Sequence, residues 1–126
     1  MPLSSAPVTF FLATKQAEEA KFFYENILGL ALLEDSQYAL VFEMLGAELR
    51  ISKVPGFEPF PWTVLDWQVG DLDATMKELA EKGIEFTRFD GMDQDENGVW
   101  TVPGGETRIA WFKDPDANVL SVSHRG

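Results

Sequence analysis

Cysteine is absent from this 126-residue chain. Disulfides, thiolate metal sites, iron–sulfur clusters and a cysteine nucleophile are thereby excluded, so any metal would need His, Asp, Glu or Gln. Histidine is nearly absent as well, with His124 the single instance. Positive charge is scarce: 10 Lys and Arg stand against 21 Asp and Glu, for a formal charge of -11. Such a balance repels phosphate backbones and anionic lipid, and no nucleic-acid or membrane partner is expected. It could attract a cationic small molecule, although solubility alone accounts for it. A long apolar run is also missing. The opening MPLSSAPVTFFLATKQ has no basic start, and its apolar stretch breaks at Thr14 and Lys15, so the expected location is cytoplasmic.

What is present suffices for one buried core. Hydrophobic residues make up 45% of the chain, and residues 1–126 read as a single domain. After a strand at Val8 to Ala13, the segment Gln16 to Ile27 places Ala20, Phe23, Tyr24 and Ile27 on one helical face. Thr14 could cap that helix, and Gly29 stops it. Strands follow at Leu30 to Glu34, Tyr38 to Met44 and Glu48 to Val54, separated by turn signals. Residues 55–61 hold three prolines, Pro55, Pro59 and Pro61, and read as a linker.

Beyond the linker the order repeats. A strand at Thr63 to Val69 leads to a helix at Leu72 to Lys82, with Asp71 as cap, Leu72, Met76, Leu79 and Ala80 as buried stripe, and Gly83 as stop. Strands then fall near Ile84 to Phe89, Val99 to Val102, Thr107 to Lys113 and Val119 to Ser123. The halves align without a gap from Thr9 on Val64 to Gln16 on Asp71, and Ala47 to Ser52 matches Asn118 to Ser123. A duplicated unit of one helix and about four strands results, with module one near 7–54 and module two near 62–124. Each helix would cover one sheet face, leaving the opposite faces to line a cavity.

Three segments carry a family resemblance: Phe23-Tyr24-Glu25-Asn26-Ile27-Leu28-Gly29-Leu30, Val69-Gly70-Asp71-Leu72-Asp73-Ala74, and Ile109-Ala110-Trp111-Phe112-Lys113-Asp114-Pro115-Asp116-Ala117-Asn118-Val119-Leu120. In order and spacing they resemble the vicinal oxygen chelate superfamily, which includes glyoxalase I, fosfomycin and bleomycin resistance proteins and extradiol dioxygenases. The resemblance implies an α+β fold of two tandem βαβββ modules, forming a curled mixed sheet around a central cavity with one helix per module on its outer face. It also implies a homodimer, with swapped or unswapped modules. The Asp-Pro-Asp-Ala-Asn string has a mechanical reading too: Pro115 presets a turn, and Asp114, Asp116 and Asn118 can bond local backbone. Ala117 stands where the family usually has glycine, suggesting a turn without positive φ at that position.

Family members that use a metal draw ligands from the first and last strand of each half. Transferred to this sequence, those positions are Thr9, Arg50, Val64 and Ser121. None is a usual ligand for a divalent metal, and arginine would repel one. Neither a catalytic metal nor a cofactor is expected. His124 lies past the pattern, as a solvated or structural residue or a proton shuttle. Asp93-Gln94-Asp95-Glu96-Asn97-Gly98 opens like a calcium loop, but Gly104 replaces the closing glutamate, so a solvated hairpin loop is expected.

Strand alternation then assembles the candidate cavity surface. Thr9, Phe11, Ala13, Arg50, Ser52, Val64, Asp66, Gln68, Ile109, Trp111, Val119, Ser121 and Ser123 share it, whereas Trp67 has the parity of the helix side. The make-up, aromatic and apolar with few polar groups, is that of a small-molecule site. Arg50 and Asp66 could instead pair with each other, and Trp111 could fill core. Trp62 and Trp100 border loops and could line a mouth or a dimer contact. Three readings follow: a binding or sequestering protein similar to the bleomycin resistance members; a metal-independent isomerase, lyase or hydrolase with Asp66 as acid or base and Arg50 holding a carboxylate or enolate; and, disfavoured by the ligand positions, a divalent-metal-dependent glyoxalase or dioxygenase.

Overall fold

The computed structural model describes residues 2–126. They form two compact units, one ending at Glu58 and one running from Pro59 to Gly126, with the division inside the proline-rich segment. Each unit holds one four-stranded mixed sheet and one helical element.

In the first unit β1 (Val8–Thr14) leads to α1 (Ala17–Phe22), which continues as a π-helical turn at Phe23–Ile27. β2 (Ala31–Asp35), β3 (Ala39–Met44) and β4 (Ala47–Lys53) then complete a sheet of order β1-β4-β3-β2. The regular helix expected through Ile27 is thus widened in its second half: Leu28 N donates to Phe23 O at 3.0 Å, and Gly29, at φ 77°, ends it. Widening lets consecutive aromatic residues, Phe23 and Tyr24, both be buried. Tyr24 packs on Phe42 of β3 with ring centroids 5.7 Å apart, above Leu40, Leu49 and Ile51. Thr14 does not cap the helix as expected. Its Oγ1 accepts from Gln16 N at 3.0 Å, and Gln16, two residues further on, takes the N-cap position.

The second unit runs β5 (Thr63–Gln68), α2 (Leu72–Glu81), β6 (Trp100–Thr101), β7 (Arg108–Lys113) and β8 (Val119–His124), in the sheet order β5-β8-β7-β6. Asp71 caps α2, its Oδ1 accepting from Ala74 N at 3.0 Å. Leu72, Met76 and Leu79 are the buried stripe of α2, and Arg108 of β7 reaches Asp73 of that helix at 3.3 Å. The sheet face with Ala110, Phe112, Leu120 and Val122 therefore lies under α2, and all four residues are buried. Truncating Phe112 there would cost about 3–5 kcal/mol. Trp67, opposite Val122 in register, is on this helix side.

Both modules use the same strand register. Phe11 stands opposite Arg50 in the first, and Asp66 opposite Ser121 in the second, as the internal alignment requires. The parallel pairs differ at one point: the β5–β8 register shifts between Thr63 and Leu65, so the residue opposite Val119 is Thr63.

Two further expectations are corrected. Residues 84–89 form no strand; only Thr87 bridges Trp111, Thr87 N donating to Trp111 O at 2.7 Å. The reason is Gln94, whose side chain occupies the backbone groups a ladder would use. Its Oε1 accepts from Phe89 N at 2.8 Å, and its Nε2 donates to Thr87 O at 3.0 Å and Gly98 O at 2.8 Å. The second correction concerns Ala117, which has φ 69°, the left-handed conformation usually left to glycine. Asp114 imposes it: Oδ1 accepts from Asp116 N and Asn118 N, each at 2.9 Å, and Oδ2 from Asn118 Nδ2 at 2.8 Å. The turn geometry is set around Ala117, whatever its own preference.

Candidate small-molecule site

The face of the second sheet opposite α2 carries the most developed chemistry. Asp66, Ser121 and Trp111 form one row across β5, β8 and β7; Gln68, Ser123 and Ile109 form the next. Ser121 and Ser123 are buried, and both hydroxyls donate to Asp66, Ser121 Oγ to Oδ1 at 2.6 Å and Ser123 Oγ to Oδ2 at 2.8 Å. Arg125 Nη2 adds a contact to Oδ2 at 3.3 Å. Each oxygen of the carboxylate thus has a hydrogen-bond donor within the second unit.

One step along the face an aromatic pocket opens. Pro61, Trp62, Thr63, Phe89, Met92, Trp111 and Val119 line about 190 Å³. Trp111 is buried, and its Nε1 donates to Thr63 Oγ1 at 2.9 Å. The rings of Phe89 and Trp111 meet edge to face, 5.4 Å apart at 89°, while Trp100 sits 6.2 Å from Trp111. Trp62 is exposed and stacks on Phe60 with ring centroids 4.9 Å apart. Two exposed aromatic rings at a pocket edge are an unusual use of surface, because their burial by a partner would be favourable.

Several pocket residues escape strand alternation. Thr63 stands opposite Val119 only because of the register shift, and half-buried Val64 lies at that irregularity. Phe89 and Met92 belong to the segment held by Gln94, where the strand expected up to Phe89 does not form. Their sequence signal was weak: two apolar residues beside the acidic loop.

In the first unit, the face opposite α1 holds Thr9, Phe11, Ala13, Arg50 and Ser52 in successive rungs of β1 and β4. Thr9 and Phe11 are exposed, Arg50 and Ser52 half-buried. No hydrogen bond or ion pair engages the Arg50 guanidinium among residues 2–58. A wide, polar depression of about 500 Å³ borders Thr9, Glu43 and Glu48.

The positions that the resemblance assigns to metal ligands do not fit a divalent metal. Arginine and valine offer it nothing, Ser121 already donates to Asp66, and among the described residues no three His, Asp or Glu side chains are grouped to hold one. His124 is tied down locally, with Nδ1 3.0 Å from Val69 O. The acidic loop is self-satisfied as well, Asp95 Oδ1 accepting from Asn97 N at 2.8 Å and Val99 N at 2.9 Å.

Residues 6–122 match the Glyoxalase/Bleomycin resistance protein/Dioxygenase superfamily. The chain belongs to that superfamily. Among solved structures of similar fold is TnmS3, an antibiotic binding protein from Streptomyces sp. CB03234, with 25% identity, a TM-score of 0.74, and coverage of 100% of this chain and 99% of that one. A superfamily member from Alicyclobacillus acidocaldarius has 18% identity and a TM-score of 0.70, covering 99% and 95% of the two chains. An integron cassette protein from the mobile metagenome of V. cholerae has 20% identity and a TM-score of 0.68, covering 100% and 98%. The curated proteins contain no match. Among the described residues no helix is long and apolar enough to cross a membrane.

Proposed function

We propose that this superfamily member binds a small organic molecule against the aromatic pocket of its second module, in a sequestering or resistance role that needs no catalytic metal. The observation that carries the reading is the pocket itself: exposed Trp62, half-buried Phe89 and Met92, and buried Trp111 around one polar group, Thr63. The likeness to an antibiotic binding protein along the whole chain supports the same class of function. Asp66 favours binding over catalysis, because both its oxygens already accept hydrogen bonds from the protein, from two hydroxyls and a guanidinium. We place the protein in the cytoplasm as a homodimer, which sedimentation at micromolar concentration tests.

The binding reading is tested by a thermal-shift screen of antibiotics and small aromatic molecules, followed by tryptophan-fluorescence titration of every hit. A stabilising ligand that loses affinity at least tenfold in Trp62→Ala supports it. Trp62 is exposed, so that substitution should leave the fold intact. Absence of any stabilising ligand, or binding indifferent to both Trp62→Ala and Phe89→Ala, would sink it.

A further inference from the structure

We infer that the second-module pocket selects a neutral, flat aromatic molecule bearing a carbonyl oxygen beside its ring, received by the hydroxyl of Thr63. The inference rests on the binding role proposed above and names the ligand chemistry. No ionisable side chain lines the pocket, so a charged group entering it would lose hydration without gaining a partner. Its volume of about 190 Å³ suits a fused two-ring system. Trp111 and Phe89 meet at 89°, offering one ring face and one ring edge, the two surfaces an aromatic guest packs against.

The hydrogen-bonding inventory then sets the polarity of the guest. The indole N–H of Trp111 is already spent on Thr63 Oγ1 at 2.9 Å. A threonine hydroxyl has one hydrogen besides its acceptor lone pairs. Among the described residues nothing accepts that hydrogen, and Thr63 is exposed at the pocket. Accepting from the indole also polarises the hydroxyl and makes it a better donor. The pocket therefore presents one donor hydrogen, and its only oxygen acceptor among the lining side chains is the remaining lone pair of that same hydroxyl. A carbonyl guest satisfies it, whereas a hydrocarbon of equal shape leaves the hydroxyl dry and unpaired.

The test compares 2-acetylnaphthalene with 2-isopropenylnaphthalene, which differ in C=O against C=CH2, by titration calorimetry. Wild type should prefer the ketone by roughly 3- to 10-fold, the worth of one neutral hydrogen bond. Thr63→Val should abolish the preference and Thr63→Ser should restore it, with melting curves confirming that each variant folds. Equal affinities in wild type, a preference surviving in Thr63→Val, or binding of neither probe would overturn the inference. If the probes fail while other ligands still bind in a Trp62-dependent way, the carbonyl inference falls alone. Loss of all Trp62-dependent binding takes the proposed function with it.

Discussion

Asp66 and Ser121 face each other across the parallel β5–β8 pair, and the Ser121 hydroxyl donates to Asp66 Oδ1 at 2.6 Å. The position where a metal-using relative would place a ligand is therefore occupied by a donor to a carboxylate.

Removing that carboxylate leaves two buried hydroxyls, Ser121 and Ser123, without their acceptor. Asp66→Ala should destabilise by about 1–3 kcal/mol. Asp66→Asn should cost less, because an amide oxygen still accepts from one hydroxyl and the other can rotate to accept from the amide N–H. Urea unfolding of the two variants checks the order; equal losses would contradict this account.

Ala117 offers a change in the opposite direction. Its left-handed φ of 69° carries steric strain that glycine lacks, while glycine loosens the unfolded chain. The first effect is the larger, so Ala117→Gly should stabilise by about 0.5–1 kcal/mol. The expected signature is a higher urea midpoint at unchanged slope.

Gln94 should matter to the pocket without touching a ligand. Its three side-chain bonds, to Phe89 N, Thr87 O and Gly98 O, hold the segment that carries Phe89 and Met92. Gln94→Ala should cost about 1–3 kcal/mol of stability and weaken pocket ligands. Hydrogen exchange at the Phe89 amide should accelerate in the variant, and unchanged protection there would rule out the clamp.

Asp35 makes stability depend on pH. Lys53 Nζ at 2.8 Å, aided by Lys21 at 3.3 Å and opposed by partial desolvation, holds its carboxyl below the usual carboxylate range. A depressed folded-state value contributes stability that is fully present above the ordinary carboxylate value and is lost as pH falls through the folded one. The difference in melting temperature between wild type and Asp35→Asn should thus be present at neutral pH and shrink in strong acid. The pair is solvent-exposed, so added salt should reduce it too.

The linear sequence determined the repeated plan, the common sheet face of Phe11 and Arg50 in one module and of Asp66 and Ser121 in the other, and the α2 cap at Asp71. These are local periodicities and spacings, and a one-residue slip would turn apolar faces to water. What only the tertiary structure decided depends on partners far along the chain or on a turn closed as a unit. The Thr63–Leu65 irregularity brings Thr63 into register with Val119, where its hydroxyl meets the indole N–H of Trp111. Gln94 replaces a strand ladder by bonding two separate backbone segments, and Asp114 drives Ala117 into a conformation that alanine avoids on its own. In each case a polar group that would otherwise lack a partner outweighed the local preference of the residue it moved.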